Sequence, residues 1–407
     1  MGRMPRERGS AAPVRTDGGY LGSFSCCSRG LVRRIQQLHQ ASRCAPVTMH
    51  ARRDGGRRRM DTLAVDAPVC PFQFTGRTGD YFRIWIVSLC LSILTLGVYS
   101  AWGKVRKRRY LYAHTHVAGS AFEYRARPLA ILKGRAIAVL LFGSFAATGH
   151  FVPAVQWTFV VLLLVLTPWI VVAANRFNAQ NSAYRNVRFG FTGRMGEAAK
   201  VFLGFGLLSI VSIGLAYPYY RLRRARFVVG HHRFGATGFV EALHGGDFYA
   251  AYILAGLIVL GATIAAIVGG ILLGLMASVL GAKTEPSRAV AYVPIALMYA
   301  VYLLAFSYLR ARVGNLTLNG ARVGSLQLAS TLRARDLFWL YFSNIVAIIV
   351  SVGLATPWAT LRMARYRAQR LVLIAHQPLE TFAASPADRA SATGSEVSDL
   401  FDVDVSL

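Results

Sequence analysis

Apolar stretches of two lengths alternate along this chain, and short strand-like runs separate them. Between Arg135 and Arg176 no residue is charged. That is ~40 residues, room for two membrane spans of ~20 each, with a break at Gly149-His150-Phe151-Val152-Pro153. Trp157 and Trp169 stand near the ends of the second span, where interfacial aromatics are expected. A second uncharged stretch lies between Asp247 and Lys283, and Tyr292–Tyr308 supplies its partner span. Gly261, Ala265 and Gly269 put small residues at every fourth position of the former, a pattern that lets helices pack closely in lipid. The shorter runs are Ile84–Val98, Val201–Ala216 and Leu337–Ala355. Each follows a short strand (Phe72-Gln73-Phe74, Phe189-Gly190-Phe191, Leu326-Gln327-Leu328) and leads through a break into a basic helix. A second short strand, near Phe122 or Phe239, follows the first two basic helices.

The shorter runs resemble one another. Phe72, Phe74, Thr75, Gly76, Arg77 and Gly79 recur at constant spacing as Phe189, Phe191, Thr192, Gly193, Arg194 and Gly196. At that spacing Gly97 meets Gly214, and Lys104, Arg106 and Arg109 meet Arg221, Arg223 and Arg226. At a second constant spacing Gly97 meets Gly353, Trp102 meets Trp358, and Arg106, Arg109 and Tyr110 meet Arg362, Arg365 and Tyr366. Ala101 becomes Pro218 and Pro357, so proline reinforces the break in the later copies. Such self-similarity predicts a mainly α, multi-pass helical membrane protein with internal repeats, two full and one partial, and short β-strands flanking each repeat helix. The expected divisions are 70–188, 189–310 and 326–375. Residues 1–65 read as a disordered basic tail or a mis-assigned start, and 376–407 as an acidic disordered tail.

Composition fits this picture. The chain is 54% hydrophobic, its net charge is +28 and its mean hydropathy is +0.41. Arginines abutting apolar runs of membrane length argue for a bilayer partner rather than nucleic acid. Topology stays open between seven crossings and four crossings with three re-entrant hairpins, which would leave every strong basic block on the cytoplasmic side. The five cysteines crowd the first quarter without a CxxC pair, so neither a disulfide frame nor a zinc site is implied.

The Phe-x-Phe-Thr-Gly start, the Thr95-Leu96-Gly97-Val98-Tyr99-Ser100-Ala101-Trp102 break and the Lys104…Arg106…Arg109-Tyr110 helix resemble the YjgN-like family of bacterial inner-membrane proteins. The resemblance spans roughly residues 70 to 375 and implies a multi-pass protein of the bacterial inner membrane. It implies no activity. The Tyr99 position becomes Ala216 and Ala355, and the Trp102 position becomes Tyr219 in the second copy but stays tryptophan as Trp358 in the third, so a role there does not carry to every copy.

Candidate chemistry is sparse. The basic helices, with Lys104, Arg106, Arg109, Arg221, Arg223, Arg226, Arg362 and Arg365, fix orientation or bind phosphate of anionic lipid headgroups. Gly97, Trp102, Gly214, Pro218, Gly353 and Pro357 are structural breaks. His114 and His116, matched by His231 and His232, lack a nearby third ligand, so no metal is expected. Gly76-Arg77-Thr78-Gly79 is not a Walker sequence. No nucleophile motif or paired acid suggests an enzyme, and no cofactor is implied. The spans lack acids, which disfavours an ion-coupled carrier. The reading is a solute or lipid pathway with a basic cytoplasmic face, anionic membrane lipids as partners, and a homo-oligomer left open. The alternative is a non-transporting membrane scaffold or interaction protein.

Overall fold

The computed structural model describes residues 45–46, 68–151, 153–279 and 288–375. The tails expected at 1–65 and 376–407 lie outside them, apart from the two-residue strand β1 (Ala45–Pro46). The order continues with β2 (Pro68–Pro71), β3 (Gln73–Phe74), α1 (Thr78–Leu94), α2 (Ser100–Ala113), β4 (Thr115–Val117) and β5 (Ser120–Tyr124). Next come α3 (Pro128–Phe151), α4 (Pro153–Asn181), β6 (Ser182–Tyr184) and β7 (Val187–Phe191). Then α5 (Met195–Ala199) passes through a π-helical turn (Lys200–Phe205) into α6 (Gly206–Val211), followed by α7 (Tyr217–Gly230), β8 (His232–Phe234) and β9 (Thr237–Glu241). The remaining elements are α8 (Gly245–Val279), α9 (Arg288–Asn319), β10 (Ala321–Val323), β11 (Leu326–Ser330), α10 (Ala334–Val350), α11 (Thr356–Gln369) and β12 (Leu371–Ala375).

The short strands do not stay local. All twelve join into one antiparallel sheet in the order β1-β2-β12-β11-β10-β9-β8-β7-β6-β5-β4-β3. Apart from β1, which pairs along the outer edge of β2, the order runs from β2 to β3, yet these are two halves of one segment, Pro68–Phe74. Its first half pairs with β12 and its second with β4, so the sheet is a nearly closed barrel. This corrects the expected class of a mainly α protein with internal repeats and merely flanking strands. The barrel organises the whole described chain, and the boundary drawn at 188/189 falls inside β7. The physical reason for the miss is strand length. Strands of two to five residues give almost no period-two signal, and a pairing such as β2 with β12 leaves no trace in local sequence.

On one rim, tight turns join β4 to β5, β6 to β7, β8 to β9 and β10 to β11. Ala118-Gly119 and Arg185-Asn186 both have positive φ, the backbone that matches a two-residue turn to strand twist. On the other rim five helical hairpins join β3 to β4, β5 to β6, β7 to β8, β9 to β10 and β11 to β12. The strands at the feet of each hairpin pair with one another. Each hairpin must therefore leave the rim and return to it. A count of seven crossings fails on this point, because α1, α6 and α10 each turn back on a partner helix. Among the described residues four helices, in Pro128–Ala147, Trp157–Asn181, Gly245–Met276 and Ala296–Asn319, are long and apolar enough to cross a membrane.

The barrel interior is filled. Cys70, Phe72, Val117, Tyr184, Phe234, Val323, Leu326, Leu373 and Ala375 form one buried cluster. Ring centroids step from Phe72 to Phe122 (6.1 Å), to Tyr184 (4.9 Å), to Phe234 (6.3 Å) and to Phe189 (5.0 Å). The Tyr184 hydroxyl donates to the Val117 carbonyl at 2.7 Å, which satisfies the one polar atom of that ring. Cys70 is disulfide-bonded, a bond that the cysteine pattern does not announce.

His232, on β8, donates its Nδ1 proton to the Val228 carbonyl at 2.6 Å and lies against Phe191 and Phe239. Burial pushes its pKa below the ordinary 6.5, with His231 adding to the effect. The unfolded chain thus takes up a proton at a pH where the folded barrel refuses it. Stability is full above pH 6.5 and falls as pH drops through and below that value. Thermal melts of detergent-solubilised protein are expected to show a lower midpoint at pH 5 than at pH 7.5, and His232→Phe should narrow the gap. An unchanged gap would assign it to other groups.

Candidate functional site

The charge pattern follows from the hairpin direction. Four of the five outbound helices begin with an acid in the first turn, Asp80 in α1, Glu197 in α5, Asp247 in α8 and Asp336 in α10, and α3 has none. Inbound helices return to the rim carrying cations. The acids favour the helix dipole, whereas among the inbound helices only α11 carries a cation, Arg367, in its last turn. The inbound cations form a belt between the hairpin turns and the rim, while the turns of the three short hairpins are apolar. Ion pairs knit the belt, with Arg370 at 2.7 Å from Asp336 and His231 at 2.7 Å from Glu197.

The belt divides the expected cations into two groups. Arg109, Arg226 and Arg365 are braces. Each donates to a backbone carbonyl, of Ala126 (3.0 Å), Leu243 (2.6 Å) and Gly76 (3.2 Å) respectively. Arg226 also stands 3.4 Å from Glu241. Arg362 reaches into its own hairpin, donating to Ser343 and Asn344, and covers the Trp358 ring. The others face outward or along the surface. Arg106 is exposed and lies 5.8 Å from the Tyr99 ring centroid. Arg223 is held between Tyr219, whose hydroxyl it meets at 2.8 Å, and Phe205. Arg221 faces the Tyr252 hydroxyl across the α7–α8 junction. Lys104 is half-buried on α2.

The expected breaks all sit at the hairpin turns. Gly97, Gly214 and Gly353 have φ of 91°, 86° and 89°. The residues before them, Leu96, Ile213 and Val352, are also left-handed, at 49°, 52° and 49°. For a non-glycine residue that backbone costs roughly 1–2 kcal/mol. Pro218 and Pro357 are buried in the first turn of α7 and α11, where the missing N–H costs nothing. Trp102 stacks on Tyr99 at 6.0 Å.

Sequence reading missed the inner layer of the belt. Arg108 donates to Asn178 at 2.8 Å and to the Tyr124 hydroxyl at 3.2 Å, tying α2 to α4. Arg135 donates to the Ser100 hydroxyl. The Tyr110 hydroxyl accepts from Arg77 N and donates to Arg77 O, and Tyr366 does the same at Arg333. The one available signal was Tyr110 matching Tyr366 beside Arg77 matching Arg333. His114, His231 and His232 each direct Nδ1 at a backbone carbonyl one helical turn back. Among the described residues no three potential metal ligands converge.

Comparison with known proteins places this architecture. The inner membrane protein YjgN of Salmonella typhimurium strain LT2 is 26% identical over 347 residues, 73% of this chain and 86% of that protein. YjgN of Escherichia coli strain K12 is 32% identical over 137 residues, covering 32% of this chain and 33% of its own length. The Escherichia coli O157:H7 protein is 27% identical over 154 residues, covering 38% and 39%. No solved structure matches the chain. Residues 69–400 match the family described as bacterial protein of unknown function, DUF898. With four helices able to cross a membrane and relatives named for the inner membrane, this is a bacterial inner-membrane protein. The chain belongs to the DUF898 family, the YjgN-like proteins of the bacterial inner membrane.

Proposed function

We propose that this protein is a multi-pass lipid-binding protein whose barrel sits on the cytoplasmic face, with α3, α4, α8 and α9 crossing the bilayer and the belt cations engaging anionic headgroups. One observation carries the reading: all five hairpins rise from the same rim, and their inbound helices carry cations on the way back to it, Arg288 at the far start of α9 excepted. Positive charge stays on the cytoplasmic side of a membrane, which orients the rim. Headgroup phosphates lie at the same depth, and arginine presents them a planar fork. The packed aromatic interior of the barrel supports holding lipid over conducting a solute through the barrel axis.

Arg106 and Arg221 are the informative positions, because Arg109, Arg226 and Arg365 also hold backbone carbonyls. Native mass spectrometry of detergent-extracted protein should show retained anionic phospholipid. Arg106→Gln with Arg221→Gln should reduce that retention several-fold, and Arg106→Gln alone should lower it without changing the melting midpoint. Equal retention would overturn headgroup binding and favour the scaffold reading. For orientation, a cysteine at Ala118, on the tight-turn rim, should be labelled from the cytoplasm. One at Trp157, near the start of α4, should be labelled from the opposite side. The reverse pattern would overturn the orientation.

A further inference from the structure

The three shorter hairpins end in turns built unlike the other turns of this molecule. The tight turns of the barrel place Ala118, Gly119, Arg185, Asn186, Gly235 and Gly324 at left-handed backbone, none of them a large aliphatic residue. The hairpin turns place Leu96, Ile213 and Val352 there, two of them β-branched. These side chains are not buried by the protein. Leu96 is 96% exposed, Ile213 94% and Val352 92%, and Leu94, Val211, Leu215 and Val350 beside them are nearly as open. A strained, fully exposed aliphatic residue at a site that suits glycine has no role in a turn surrounded by water.

A second, independent feature concerns the backbone. In the first turn, the N–H groups of Thr95, Leu96, Gly97, Val98 and Ser100 donate to the carbonyls of Leu91, Ile93, Ser92, Thr95 and Gly97. The remaining one, Tyr99 N–H, donates to the Thr95 hydroxyl at 2.9 Å. The turn at 212–217 repeats this bond for bond, with the Ser212 hydroxyl accepting from Ala216 N. So does the turn at 351–356, with Ser351 accepting from Ala355 N. Every N–H of all three turns is satisfied internally. Surface turns leave such groups to water, whereas irregular backbone at membrane depth must find protein partners.

Depth follows from the cations. On the returning helix Lys104 follows Gly97 by about 10 Å and Arg221 follows Gly214 by about 10 Å, at ~1.5 Å per residue, and the third hairpin has helices of 17 and 14 residues, the same lengths as the first. A hydrocarbon core is ~30 Å thick, so a tip this far beyond a headgroup-level cation lies within one leaflet.

We infer that the three short hairpins end inside the hydrocarbon of the leaflet next to the barrel, and that Leu96, Ile213 and Val352 are anchors for lipid acyl chains. The inference rests on the membrane-inserted reading above and adds a depth, a ligand and three residues. The test uses the full chain in phospholipid vesicles, with an environment-sensitive fluorescent amino acid incorporated at position 213. Lipids carrying a nitroxide on the acyl chain should quench it several-fold more than lipids carrying one on the headgroup, and an aqueous quencher should have little effect. Strong aqueous quenching would overturn the inference, as would equal quenching by both lipids. Ile213→Asn gives a second readout. Asparagine adopts left-handed backbone readily, so in water it should raise the melting midpoint. In a bilayer it should lower the midpoint measured in vesicles, and an unchanged or raised value overturns the inference. If the tip proves wet while anionic lipid is still retained through Arg106 and Arg221, the inference alone fails and headgroup binding stands.

Discussion

Phe248→Ala is expected to destabilise the protein by about 3–5 kcal/mol, the range for deleting a fully enclosed phenylalanine. Phe248 is 0% exposed and sits in the first turn of α8, where the chain leaves the barrel for its longest excursion. It packs with Leu222 of α7, Leu243 of the β9–α8 link and Val313 of α9. Three helices from two hairpins thus meet on one ring. The void cannot collapse, because Leu243 and Val313 are held by backbone that feeds the sheet. Denaturant unfolding in detergent, followed by the loss of helical circular dichroism, measures the change. A loss below about 1 kcal/mol would mean that the junction relaxes around the cavity. The functional consequence is local. Arg221 faces Tyr252 across this same junction, so lipid retention should drop together with stability.

Gly320→Ala is expected to cost about 1–3 kcal/mol, from overpacking where neighbours cannot yield. Gly320 ends the return of α9 to the rim. A Cβ built there would stand 2.5 Å from Leu243 Cδ2, 3.1 Å from the Ala242 carbonyl oxygen and 3.2 Å from that of Leu316. The leucine methyl can rotate away, but the two oxygens are backbone and fixed. The Ala242 amide donates to the Gly320 carbonyl at 2.9 Å, and Gly320 N–H donates to Leu316, so a shift of the glycine disturbs both bonds. Its φ lies outside the left-handed region, so the requirement is space alone. Gly79→Ala is the control: nothing lies within 4 Å of a Cβ there. A variant as stable as this control would refute the close approach. Because Phe248 and Gly320 both touch Leu243, the two effects should not add in the double variant.

What the sequence made legible is uneven, and the unevenness has a cause. Long helices were visible because a run of ~20 apolar residues matches the thickness of a bilayer and seldom occurs outside one. The breaks at Gly97, Gly214 and Gly353 were visible because glycine followed by a basic run punctuates strongly. The barrel was not, since its strands are too short to show alternation and the pairing of β2 with β12 that closes it joins segments far apart in the chain. The cations were found but not sorted. Arg106 and Arg109 look alike in sequence. Only the Ala126 carbonyl beside Arg109 separates a brace from a surface charge. The hairpin tips were hidden for a different reason. Leu96, Ile213 and Val352 read as the ends of apolar runs, and their left-handed backbone is invisible without coordinates.

The single segment Pro68–Phe74 that carries both ends of the ring has a consequence for biogenesis. A ribosome delivers β1, β2 and β3 first and β12 last among the described strands, and β2 pairs with β12. Each helical hairpin can enter the membrane as it emerges, since its two feet are neighbours in the chain. The barrel cannot close until β12 is made. Throughout synthesis the edge of β2 and the newest strand remain unpaired, the condition under which strands capture wrong partners. On the membrane-inserted reading proposed above, insertion runs ahead of closure, and the nascent protein is a membrane-moored open sheet whose completion is a single late event.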